Sequence, residues 1–133
     1  MTGMAYDVRL DTPYDESLEC VIEALKAEGF GVLTRIDVHD TFKEKLGVDF
    51  RKYSILGACN PPLAHKALSN RPDAGLMLPC NVVVEEVDGG TLVRIVDAAA
   101  MMQAGGLDGD PVLKEVGSEA EARLKRVAEA ISG

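Results

Sequence analysis

Asn81-Val82-Val83-Val84-Glu85-Glu86-Val87-Asp88-Gly89-Gly90-Thr91-Leu92-Val93-Arg94-Ile95-Val96-Asp97 is the stretch on which the fold turns. Two β-branched runs flank Asp88-Gly89-Gly90, a turn sequence suited to a tight antiparallel hairpin. Working outward, Tyr53–Cys59 reads as a further strand. Phe30, Val32, Thr34, Ile36 and Val38 alternate with Leu33, Arg35, Asp37 and His39, which predicts another, half-buried strand. Ala5–Leu10 is the first strand, with Tyr6, Val8 and Leu10 on one face.

Three helices fill the gaps. Thr12-Pro13-Tyr14-Asp15 starts the first, with Thr12 as cap and Pro13 at the first helical position. Leu18, Val21, Ile22 and Leu25 form its apolar stripe, Gly29 closes it, and Cys20 lies round toward solvent. Asn60-Pro61-Pro62 opens a short second helix ending near Asn70, with Leu63, Ala67 and Leu68 inward. Asp110-Pro111 caps the last, where Leu113, Val116, Ala120, Leu124, Val127 and Ile131 recur at helical steps and Gly117-Ser118 predicts a kink. Residues 41–52 read as polar with one helical turn at most, Pro72-Asp73-Ala74-Gly75 as a turn, and residues 98–109 as a small-residue connection. The order β-α-β-β-α-β-β-α predicts an α+β fold, an antiparallel sheet with helices on one face, in a single domain over residues 1–133.

A chain of 133 residues, 47% hydrophobic and 27% charged, suits a soluble globular protein. With no Trp, three Phe and three Tyr, its core is aliphatic. The net charge of −8, from 22 acidic and 14 basic residues, repels a phosphate backbone and an anionic membrane, so neither is an expected partner. Met1-Thr2-Gly3-Met4-Ala5-Tyr6-Asp7 lacks the apolar core of a signal peptide, and three cysteines without framework spacing suit a reducing compartment. A cytoplasmic location is expected. No phosphate-binding loop, dinucleotide fingerprint, nucleophile elbow or HExxH motif occurs, so a conventional kinase, dehydrogenase or hydrolase is not expected.

Three ordered motifs remain: Lys43-Glu44-Lys45-Leu46-Gly47-Val48-Asp49-Phe50, Ile55-Leu56-Gly57-Ala58-Cys59-Asn60-Pro61-Pro62-Leu63-Ala64-His65 and Gly75-Leu76-Met77-Leu78-Pro79-Cys80-Asn81-Val82-Val83-Val84. Through them residues 29–97 resemble the domain of unknown function 302 family. The resemblance implies a TATA-binding-protein-like α+β topology and a homodimer; it carries no activity, and the topology label does not imply DNA binding. Relatives often follow the last strand with Asp-Pro, where this chain has Asp97-Ala98.

The candidate site is a pair of Cys-Asn dipeptides at strand ends. If the strands ending at Cys59 and beginning at Cys80 are antiparallel neighbours, the two thiols meet at one end of the sheet. A thiol pair suits redox exchange, persulfide handling or metal binding, whereas a free cysteine otherwise packs as a small hydrophobe. Asn60 is placed to cap the second helix; Asn81 is either a brace or a ligand reader. His39, sharing a strand face with Asp37, and His65 at the rim would complete a Cys₂His₂ set chemically suited to zinc, but the spacing is irregular and no metal site or cofactor is assigned. Asp97 joins the candidates, and Met77, Met101 and Met102 either line a soft pocket or fill the core. The leading reading is a non-enzymatic accessory domain binding a small molecule or thiol-reactive species at this corner. The alternatives are a thiol-dependent enzyme or redox protein, with Cys59 or Cys80 as nucleophile, and a purely structural dimeric module.

Overall fold

A computed structural model describes residues 3–132; Met1 and Thr2 of the leader reading lie outside them. Its centre is the Gly-turned hairpin: β4 (Cys80–Val87) and β5 (Gly90–Val96) pair antiparallel around Gly89 at φ 78°. β3 (Tyr53–Cys59) pairs with β4, β2 (Gly31–Asp37) with β3, and β1 (Ala5–Leu10) with β5, giving one antiparallel sheet in the order β1-β5-β4-β3-β2.

Period-two alternation decides the faces. Leu56, Ala58, Val82, Val84, Val93 and Ile95 point inward and are fully buried. Against them pack α1 (Tyr14–Ala27) and α5 (Pro111–Ser132), through Leu18, Val21 and Leu25 of the first and Leu124 and Val127 of the second. Each such side chain contributes about 1.5–3 kcal/mol relative to exposure. Pro13 rather than Thr12 occupies the N-cap of α1; Thr12 Oγ1 instead bonds Ser17 Oγ at 2.5 Å. Buried Ser54 ties α1 to the sheet, bonding the Tyr14 hydroxyl and donating to Asp37 Oδ1 at 2.7 Å.

Two helices depart from the sequence expectation. The strand read through Val38 stops at Asp37, and α2 (Val38–Leu46) follows at once, closed by Gly47 at φ 67°. His39 therefore sits on a helix, not on a strand face with Asp37. The small-residue connection likewise begins with α4 (Ala98–Ala104), capped by Asp97 Oδ1, which accepts from Ala100 N at 3.0 Å. Alanine is the strongest helix former, which accounts for a helix without an amphipathic pattern. The second predicted helix is α3 (Pro61–Asn70), but Leu68 is exposed rather than inward, and a 3₁₀ helix (Pro72–Met77) replaces the turn after it. α5 runs unbroken through Gly117, whose missing side chain makes room for Met102 of α4.

β2 is an edge strand, and it is less covered than its alternation predicts. The register shifts between Val32 and Thr34, and Leu33 and Ile36 remain 68% and 49% exposed. Among the described residues no helix is long and apolar enough to cross a membrane.

Candidate functional site

The antiparallel β3–β4 register sets Ala58 opposite Cys80, and Cys59 follows immediately, so both thiols lie at one end of the sheet. They line a partly open cavity of about 160 Å³ bordered by the start of α3, the end of the 3₁₀ helix, α4 and α5. The chain arrives there because Asn60 ends β3 and starts α3: its Oδ1 accepts from Leu63 N at 3.3 Å, and Pro61 and Pro62 occupy the first turn. Asn60 is buried against bare Gly29, where a Cβ would come within 2.9 Å of Asn60 Nδ2. A cis Leu78–Pro79 bond leads into β4 on the other side.

The lining is hydrocarbon and sulfur. Cys59, Cys80, Met77, Met101 and Met102 contribute, with Asn60 and Asn81 as the amide groups; no carboxylate, imidazole, ammonium or guanidinium is among the lining residues. Cys80 packs at the margin of the main core, and burial, with the neighbouring Cys59, pushes its thiol up to about 11. Cys80 is therefore a neutral thiol near pH 7 and ill-suited to be an activated nucleophile, which is the thiolate form. The lining itself carries no carboxylate or imidazole to act as the general acid or base that acyl or phosphoryl transfer uses. The cavity's volume is nearer the about 150 Å³ that accommodates benzene than the roughly 300–1,000 Å³ pockets of drug-sized ligands.

The remaining sequence candidates separate. Asn81 borders the cavity but is exposed, on β4 opposite Gly57. His65 is exposed on α3 and outside the cavity lining. His39 is at the opposite end of β3, where its Nδ1 accepts from Tyr53 N at 3.1 Å and its ring meets Tyr14 edge-on. Six strand steps at roughly 3.3 Å each separate that end from Cys59, about 20 Å. The Cys₂His₂ arrangement therefore does not assemble, and the described residues contain no metal-competent cluster of three or more His, Cys, Asp or Glu. Asp97 serves as the α4 cap beside Tyr6, whose phenol donates to Glu121; burial and these carboxylates raise that phenol above its ordinary range. Asp97 adjoins the cavity through Ala98 without lining it.

A second polar centre escaped the sequence reading. Glu85 is 5% exposed, and its carboxylate accepts from Arg51 and, at 2.6 Å, from Arg94. Burial alone would raise its pKa, but the two guanidinium groups outweigh burial and hold it below the ordinary carboxylate value. Arg51 also covers Phe50, 4.4 Å from the ring centre.

The family description "Domain of unknown function DUF302" matches residues 6–131. The chain is also similar to a solved structure of an uncharacterized conserved protein DUF302 from Bacillus stearothermophilus, with 34% identity, coverage of 96% of this chain and 97% of that one, and a TM-score of 0.83. No curated protein matches it.

Proposed function

The chain belongs to the DUF302 family, whose description assigns no activity, and we propose that it is a non-enzymatic accessory domain that binds one small, thiol-reactive or apolar species in the Cys59/Cys80 cavity. The carrying observation is a cavity of about 160 Å³ whose lining includes Cys59 and Cys80, both free, and no acid–base side chain. A small neutral or soft guest fits such walls; a nucleotide does not. Free thiols of this kind suit a reducing cytoplasm.

Native mass spectrometry of protein purified without oxygen or chelator, with methyl methanethiosulfonate as a second probe, tests this reading. The expected result is a guest retained on the parent chain and lost from the Cys59→Ser/Cys80→Ser double variant, or attachment of the probe to Cys59 or Cys80 in the folded protein. A bare mass together with two unmodified thiols would overturn it.

A second copy of the chain is the partner we infer for the β2 edge. Five of the eight exposed large hydrophobic side chains among the described residues, Leu33, Ile36, Leu46, Val48 and Phe50, belong to β2, α2 and the segment after it. An edge strand presents unpaired backbone groups, and an apolar one invites a further strand. Arg35 and Asp37 flank Ile36 and already bond at 2.9 Å. An antiparallel two-fold centred on Ile36 would set Arg35 of each copy against Asp37 of the other, a self-complementary arrangement. Sedimentation velocity is expected to show a dimer for the parent and a monomer for the Leu33→Lys/Ile36→Lys variant. A monomeric parent at micromolar concentration, or an undisturbed dimer in the variant, would refute this interface.

A further inference from the structure

The wall of the cavity discriminates against charge. α3 begins there, and a helix start ordinarily offers free N–H groups to an anion. Here Pro61 and Pro62 have no N–H to offer. Leu63 N donates to Asn60 Oδ1 at 3.3 Å, and Ala64 N to the Asn60 carbonyl at 2.9 Å. The start of α4, beside it, carries the Asp97 carboxylate as its cap. An anion therefore meets no donor from α3 and a like charge near α4, while a cation meets no carboxylate in the lining. Burying either ion without a partner is costly, so these walls suit an uncharged guest.

One polar group is left to orient that guest. Asn60 is 8% exposed and lines the cavity. Its Oδ1 is fixed by the Leu63 N–H that points at it, so the other amide atom is Nδ2, a donor of two N–H groups. Nδ2 has no hydrogen-bond partner among the described residues. Every fully enclosed polar side-chain atom among them has one, so Nδ2 borders open space. Gly29, over which it stands, has no side chain to cover it. A buried donor left unmet costs more than a made hydrogen bond gains, which favours an acceptor on the guest. The other amide, Asn81, is exposed and gains less from one.

The sulfur atoms supply volume. Cys80 shares the inward face of Val82 and packs with the core, where burial keeps its thiol protonated near pH 7, so covalent capture there is disfavoured. Met77 and Met102 pack over bare Gly105 and Gly117.

We propose that the cavity holds, without a covalent bond, one small uncharged molecule with a hydrocarbon body and a single hydrogen-bond acceptor, such as a ketone, whose oxygen accepts from Asn60 Nδ2. The proposal rests on the reading of this cavity as a ligand site and narrows its thiol-reactive or apolar guest to an unreactive one.

NMR of the full chain carrying methyl-labelled methionine, titrated with cyclohexanone, methylenecyclohexane and cyclohexanecarboxylate, tests the proposal. The first two rings differ only in an exocyclic C=O against C=CH₂, and both approach the size of benzene, which a cavity of about 150 Å³ admits. The expected result is saturable movement of the Met77, Met101 and Met102 methyl signals with these two and none with the carboxylate. Asn60→Asp keeps the oxygen that caps α3 and removes the donor. It should weaken cyclohexanone roughly three- to tenfold and leave methylenecyclohexane unchanged. Asn60→Ser, another good cap whose shorter side chain withdraws the donor, should act alike. Binding of the carboxylate as tightly as the ketone, or equal effects of both variants on the two neutral probes, would overturn the proposal. Still methyl signals in the parent would overturn it too; if methyl methanethiosulfonate nonetheless modifies Cys59 or Cys80, the cavity stands as a thiol-reactive site and only the neutral guest falls. If both kinds of probe fail, both readings fall.

Discussion

Gly90→Ala is expected to remove about 3 kcal/mol of stability, at the upper end for an overpacked site that forces backbone movement. The reason is the closeness of β1 and β5 at the hairpin base. A Cβ on Gly90 would fall inside contact distance of the Leu10 carbonyl oxygen and within 3.2 Å of its carbon and 3.3 Å of Asp11 Cα. These are main-chain atoms that cannot rotate away. They are also fixed from both sides: Leu10 pairs with Thr91, and the fully buried Thr91 hydroxyl donates to the Thr12 carbonyl at 2.9 Å. Relieving the clash means opening the end of the β1–β5 ladder or breaking that bond. With a slope of about 1–3 kcal/mol per molar in urea, the midpoint should fall by roughly 1–3 M. Gly31→Ala supplies the contrast, since a Cβ there meets nothing within 4 Å and the backbone needs no positive φ. That substitution should be neutral or stabilise by about 0.4–1 kcal/mol through the unfolded chain. Equal effects at the two positions would refute the steric account.

The same elements show what sequence can and cannot reveal. β3, the hairpin and α5 announce themselves because their period is enforced by burial: each inward residue of Tyr53–Cys59 and each repeat from Leu113 to Ile131 faces the core. α2 carries no such record, since none of its residues is buried, and polar Thr41, Lys43 and Glu44 read as loop. α4 leaves a different trace, an Asp97 cap before three alanines, which propensity alone would have flagged. For the site, the two Cys-Asn corners were legible because antiparallel pairing brings strand ends together. Their methionine surroundings were less so, because helix packing, not strand pairing, delivers Met77 and Met101. His39 was misplaced for the α2 reason: two residues of strand read too far put a side chain on the wrong element.

Glu85 is the case where period-two reasoning gives the wrong burial altogether, and it yields the other large effect. An acid on the face opposite the helices should be wet, yet Arg51 and Arg94 cover this one. Replacing both cations, Arg51→Met with Arg94→Met, is expected to cost about 3 kcal/mol at pH 7, the low end for orphaning a buried charge because both guanidinium groups are themselves partly exposed. The pH dependence identifies the cause. In the parent, Glu85 has a depressed pKa, so its stabilisation is present above the unfolded value of about 4.3 and is lost as pH falls through the folded value. In the variant, burial acts alone and raises the pKa. The penalty then holds above the raised value and is relieved as pH falls through it toward about 4.3. Parent and variant should therefore converge as acid is added. Asp37, also held low by Ser54 and Arg35 against its burial, titrates in both proteins and cancels from the difference. Urea unfolding of the two proteins from neutral to acid pH measures that difference directly. Adding Glu85→Gln to the double variant should recover most of the loss at pH 7 and flatten the pH dependence. Whatever loss persists belongs to packing, including the Arg51 cover on Phe50. A difference of constant size across the range, untouched by Glu85→Gln, would mean that the two arginines stabilise this face through their hydrocarbon stems and that the buried carboxylate contributes no electrostatic term.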